Sequence, residues 1–117
     1  MADVSLTLLV LKTRQIEKLL VFYRTLGVEF VEEQHGKGQV HYSGKLDETV
    51  FEIYPATGDN SVDAAIRLGF GVPSLSEAVA TLRSTGTPIV SEPKTTDWGI
   101  RAVVRDPDGR AVELYQK

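Results

Sequence analysis

Apolar residues recur along the chain with two different periods. Ile16, Leu19, Leu20 and Tyr23 have the i, i+3, i+4, i+7 spacing of one helix face, and Leu75, Ala78, Val79 and Leu82 repeat it. Gly27 and Gly86 stand where a left-handed residue closes each helix. Ser74 followed by Glu77 is a capping box with Pro73 just outside, and Thr13 is expected to cap the first helix, less ideally. Between and around the helices the pattern turns to strands, predicted at residues 5–11, 28–34, 39–43, 49–54, 65–72, 88–92, 100–105 and 110–115. GKG at 36–38 reads as a hairpin turn, and DPDG at 106–109 has Asp, Pro and Gly at the first, second and fourth positions of a type I turn. Turn chemistry accounts for that acidic pair, so a metal is not needed to explain it. The predicted order is βαβββ, a linker, and βαβββ again.

The two halves are copies. RTLGVEFVEE at 24–33 matches RSTGTPIVSE at 83–92 without gaps, so that Arg24/Arg83, Gly27/Gly86, Val31/Val90 and Glu33/Glu92 are each 59 apart. TVFEIY at 49–54 matches RAVELY at 110–115 with a spacing of 61, which pairs Glu52 with Glu113 and Tyr54 with Tyr115. Glu is depleted in strands and rarely buried alone, so two at equivalent positions invite a common explanation. Strand alternation puts Phe51, Ile53, Val112 and Leu114 against the helices and leaves Glu52, Tyr54, Glu113 and Tyr115 on the opposite face. The same parity directs Leu9, Leu11, Leu68 and Phe70 toward the helices. The opposite face then carries Leu8 and Val10 in one half, and Arg67, Gly69 and Gly71 in the other, with Leu8 and Arg67 equivalent.

Composition narrows the chemistry. A chain of 117 residues, 42% hydrophobic, makes one domain. Thirteen basic and 16 acidic residues give a net charge of −3 with no basic run, so neither nucleic acid nor an anionic membrane is an expected partner. The absence of cysteine removes disulfides, thiolate nucleophiles and thiolate metal ligands. No apolar stretch approaches the roughly 20 residues of a membrane span. Asp3 and the lack of a basic leader or cleavage pattern argue against a signal peptide, and the cytoplasm is the expected location. No Ser-His-Asp order, phosphate loop or zinc-type spacing is present.

FYRTLGVEF at 22–30, the paired βαβββ halves and WGIRAVVRDPDGRAVEL at 98–114 together resemble the vicinal oxygen chelate superfamily of glyoxalases, bleomycin-resistance proteins and extradiol dioxygenases. The resemblance implies an α+β domain over residues 1–117. Two βαβββ modules, about 4–55 and 64–117 around a linker at 56–63, would form a curled eight-stranded mixed sheet with a concave cup and the helices outside. Metal-dependent members place a His on the first strand and a Glu on the last strand of a module. Glu52 and Glu113 match the glutamate positions, whereas Leu8 and Arg67 occupy those of the histidines. Leucine cannot ligate, and a permanent guanidinium repels a divalent ion.

No cofactor is therefore expected, with one divalent ion on Glu52 and Glu113, and His41 as a candidate third ligand, as the alternative. His35, in the QHGKG turn, reads as solvated, and the face of His41 is open at this point. Arg67 pairs with a glutamate, clamps an anionic ligand, or does both. Tyr54, Tyr115 and Trp98 are candidate aromatic walls for a flat ligand, with Leu8 and Val10 as apolar lining; Trp98 reads equally well as a plug at a sheet edge or a dimer contact. Three functions remain: a metal-free small-molecule binder of the resistance type, a metal-dependent lyase, isomerase or dioxygenase, and a metal-independent acid/base enzyme using Glu52 or Glu113 with Arg67. Relatives commonly pair, so a homodimer is expected, with modules either kept within a chain or exchanged.

Overall fold

A computed structural model describes residues 3–58 and 62–117. The order is β1 (Leu8–Thr13), α1 (Ile16–Thr25), β2 (Val31–Glu33), β3 (His41–Leu46), β4 (Thr49–Pro55), β5 (Leu68–Val72), α2 (Leu75–Ser84), β6 (Ile89–Thr96), β7 (Gly99–Arg105) and β8 (Ala111–Gln116). It is βαβββ twice, and the part of the expected linker at 59–61 lies outside the described residues.

The eight strands divide into two mixed sheets of four, ordered β1-β4-β3-β2 and β5-β8-β7-β6. The repeat is exact in register. Leu9 pairs with Phe51 and Val10 with Glu52 in parallel β1–β4, as Leu68 pairs with Val112 and Gly69 with Glu113 in parallel β5–β8. Ser43 faces Glu52 across β3–β4 and Val103 faces Glu113 across β7–β8.

Both helices end as their glycines demand. Gly27 and Gly86 have φ of 111° and 87°, where any side chain is strained. Each sits in a Schellman turn, with Val28 N donating to Tyr23 O at 3.1 Å and Thr87 N to Leu82 O at 3.0 Å. At the start of α2, Ser74 Oγ accepts from Glu77 N at 3.3 Å. The first helix departs from expectation: its N-cap is Gln15, with no side-chain cap. Thr13 is the buried last residue of β1, and its hydroxyl accepts from Gln15 N at 3.0 Å, one step ahead of the helix.

Strand limits shift for local reasons. Residues 34–40 form a loop rather than a tight hairpin, so β2 keeps only three residues. The strand β6 runs through Pro93 to Thr96, farther than predicted; it is an edge strand with two register shifts, the setting in which a sheet tolerates proline.

The core lies between the helices and the inner faces of the sheets, with Leu19, Leu20, Phe51, Ile53, Leu75, Leu82, Val104, Val112 and Leu114 all buried. Each such side chain contributes about 1.5–3 kcal/mol by leaving water. Tyr23 joins the modules, meeting Phe51 edge-on at 5.1 Å and Phe70 of the second module at 5.7 Å. Its hydroxyl donates to Asp106 Oδ2 at 2.8 Å. Asp106 in turn accepts the Arg110 guanidinium, which reaches Lys12 O of β1 at 2.8 Å. The DPDG segment is thus a turn, with Gly109 N donating to Asp106 O at 2.9 Å, and its charges serve as a buried clasp between modules.

Candidate functional site

In both sheets, strand alternation leaves one face turned away from the helices. Glu52 and Tyr54 lie on it in module 1, Glu113 and Tyr115 in module 2, while their neighbours Phe51, Ile53, Val112 and Leu114 are buried. Leu8 and Val10 stand on that face of β1, 52% and 38% exposed.

On the second module a charged group assembles around Glu113. Arg67, just before β5, pairs with Glu113 Oε2, and Arg101 Nη1 of β7 donates to Oε1 at 3.1 Å. The Tyr115 hydroxyl donates to the same Oε1 at 2.8 Å. That hydroxyl first, then the guanidinium of Arg67 with Arg101 beyond it, hold the Glu113 carboxyl below the usual carboxylate range against the opposing effect of desolvation. Arg101 is raised above its ordinary value by Tyr115 and Glu113, and its buried Nε has no hydrogen-bond partner. Beside this group a depression of about 600 Å³ is lined by Arg67, Lys94, Arg101, Val103 and Arg105 among others. Four cations, two of them paired with Glu113, line this depression.

On the first module the face of His41 is settled by register. It lies directly opposite Glu33 of β2 and stacks on Tyr54 of β4 at 4.2 Å and 5°, so it shares the face of Glu52. His41 Nε2 is 3.6 Å from Glu52 and 3.4 Å from Glu33. Desolvation, then the charges of Glu52 and Glu33, raise the Tyr54 hydroxyl.

The two groups remain separate. Among the described residues no hydrogen bond or ion pair links Glu52 and its neighbours to Glu113 and its neighbours. Trp98 is 78% exposed in the β6–β7 turn, where its backbone N donates to Thr96 Oγ1. A separate groove of about 480 Å³ runs between α1 and α2 on the helical side, lined by Val21, Phe22, Leu82, Thr87 and Pro88 among others. None of the candidate ligand-binding or metal residues predicted from the sequence lines it.

A metal shared by Glu52 and Glu113 does not fit these residues. Leu8 offers no donor atom, and both oxygens of Glu113 are engaged by Arg67, Arg101 and Tyr115. Sequence reasoning missed Arg101, although counting outward from the DPDG turn places it opposite Tyr115 and so on the open face. It also left Glu33 and His35 out of the site.

A sequence model described as the Glyoxalase/Bleomycin resistance protein/Dioxygenase superfamily matches residues 5–114. No curated protein sequence matches the chain. Among solved structures, TnmS3, an antibiotic binding protein from Streptomyces sp. CB03234, is similar at a TM-score of 0.73 and 24% identity, covering 99% of this chain and 98% of that one. An integron cassette protein from the mobile metagenome of V. cholerae gives 0.73 and 23%, with 99% and 97% covered. TioX from Micromonospora sp. ML1 gives 0.70 and 17%, with 94% and 96% covered. At such identities the likeness bears on fold.

Proposed function

The chain belongs to the Glyoxalase/Bleomycin resistance protein/Dioxygenase superfamily, and from that premise we propose that it binds a small organic anion on its open face, with no metal at the Glu52/Glu113 centre. The observation that carries this reading is the convergence of Arg67 and Arg101 on Glu113 at the edge of a cationic depression. Guanidinium groups suit a carboxylate, sulfonate or phosphate. Tyr115 supplies aromatic area beside them, and Leu8, Val10 and Val31 supply apolar area on the other module. Resistance-type sequestration, in the sense of the antibiotic binding protein from Streptomyces, is the role most in keeping with this lining.

The enzymatic alternatives are weaker. A metal-dependent lyase, isomerase or dioxygenase needs ligands where Leu8 and Arg67 stand. An acid/base enzyme needs a carboxylate poised near neutrality, whereas Glu113 is held low and accepts from Tyr115, Arg67 and Arg101, which leaves only Glu52 to that reading.

The open face also supports a homodimer. Leu8, Val10 and Val31 expose apolar surface on one face of module 1, and a second copy laid there would complete a cup from two separate groups. No helix among the described residues is long and apolar enough to cross a membrane; a cytoplasmic location remains part of this proposal.

The test uses 8-anilinonaphthalene-1-sulfonate and 1-pyrenebutyrate as flat anionic probes, titrated by calorimetry, with light scattering for the number of chains. Saturable binding is expected, weakened about tenfold or more in Arg67→Met and in Arg101→Met, the loss of one charged hydrogen bond each. Equal affinity in wild type and both variants would remove the proposal's basis.

A further inference from the structure

We infer that module 1 carries a divalent metal site of its own, made by Glu33, His35 and His41, apart from the Glu52/Glu113 centre. One ligand atom each from Glu33, His35 and His41 lies within 4.8 Å of the others. The sequence sets them there by three separate devices. Strand pairing puts Glu33 opposite His41. A turn closed by Gly38 N donating to His35 O, with Gly36 at φ 59°, brings the His35 ring to 5.2 Å from that of His41. Glu52, from the neighbouring strand on the same face, lies 3.6 Å from His41 Nε2 but outside this three-residue group.

His41 is the second and independent observation. It is 1% exposed, its Nε2 is buried without a hydrogen-bond partner, and that atom points at two carboxylates. Nδ1 lies 3.2 Å from Gln39 O, so the proton belongs on Nδ1 and the lone pair on Nε2. A ring whose one nitrogen donates to a backbone carbonyl while the other faces anionic oxygens has the outer-shell arrangement of a metal-bound imidazole. The stack on Tyr54 fixes its orientation.

The distances separate two explanations. An imidazolium shared by the two glutamates would make N–H···O bonds of about 2.7–2.9 Å. Two donors bound to one ion at about 2.0–2.1 Å lie roughly 3.4 Å apart at the tetrahedral angle. The separation from His41 Nε2 to Glu33 is 3.4 Å, the second kind. Among the described residues neither glutamate has a Lys or Arg ion-pair partner, and the cations near Glu113 are engaged on the other module. Two imidazoles and one carboxylate suit zinc best and exclude calcium or magnesium as the preferred ion. His35 is exposed and Glu33 39% so, leaving an open path for the ion.

The experiment is calorimetric titration of the full chain with Zn²⁺ alone, supported by the visible spectrum with Co²⁺. One ion per chain and a tetrahedral Co²⁺ band are expected. His35→Ala and Glu33→Gln, both at positions not fully buried, should weaken binding at least tenfold, while Glu113→Gln leaves it unchanged. No saturable site, alongside intact binding of the anionic probes, overturns this inference alone. A site lost in Glu113→Gln but kept in His35→Ala overturns both this inference and the metal-free centre proposed above.

Discussion

Replacing Arg110 by Met tests whether the buried clasp holds the two modules together. Arg110 is 1% exposed, with Nη1 donating to Asp106 Oδ2 and Asp108 Oδ2 at 3.0 Å each. Its Nη2 donates to Lys12 O at 2.8 Å and its Nε to Asp63 O at 2.9 Å. Methionine keeps much of the stem's volume and removes every donor. It strands Asp106, itself 3% exposed, with only the Tyr23 hydroxyl and the amides of Asp108 and Arg110 still donating to its carboxylate. Removing one partner of a buried ion pair costs about 3–5 kcal/mol. The surviving donors place this case near the lower end, at about 3 kcal/mol, which for a chain this size lowers Tm by roughly 10–15 °C. Urea unfolding with an unchanged m-value is the assay. Asp106→Asn in the Arg110→Met background should recover about 1 kcal/mol, because the stranded charge is gone. Arg105→Met, whose parent side chain is exposed and donates to Gly109 O, should cost less than about 0.5 kcal/mol. A loss below about 1 kcal/mol in Arg110→Met, or no recovery in the double variant, would refute the reasoning.

Three further outcomes follow from single contacts. A Cβ on Gly44 would meet Glu29 O at 2.6 Å and Val28 Cγ1 at 3.0 Å, so Gly44→Ala should cost about 1–3 kcal/mol in urea unfolding; Gly71→Ala, which meets only the flexible Lys117 side chain, should cost far less. Burial and then Asp106 raise the Tyr23 hydroxyl far above its ordinary value of 10.0. The folded state therefore keeps a proton that the unfolded state releases, so stability is intact below pH 10 and falls as pH rises above it; Tyr23→Phe should lose that part of the alkaline slope. Glu113 is shifted the other way, ionised until the pH falls below the usual carboxylate range, and its protonation releases Arg67 and Arg101. Anilinonaphthalene sulfonate, anionic throughout, should then bind more tightly as pH falls through that range, and Glu113→Gln should bind it tightly with no such dependence.

The repeat made much of this legible. Two offsets, 59 and 61, carried both helices, both closing glycines and the parity that put Glu52 and Glu113 on the open faces, because helix and strand periods are local properties of the chain. What escaped depends on contacts across strands or on ends. Whether eight strands make one ladder or two is set by how modules meet, and Thr13 lost its cap role because β1 runs on to it. Arg101 needed the β7–β8 register, which the DPDG turn fixes, and the strand edges moved where a loop or an edge proline allowed. His35 reads as a solvated turn residue in any one-dimensional view; only the fold of that turn brings it beside His41.

The central claim is that a small anion binds the open face rather than the groove between the helices. Amide chemical-shift mapping during titration with 1-pyrenebutyrate tests it most directly. Perturbations concentrated at Arg67, Arg101, Val103, Glu113 and Tyr115 are the result this account predicts. Perturbations concentrated instead at Val21, Phe22, Leu82 and Thr87, with the open face unmoved, would contradict it.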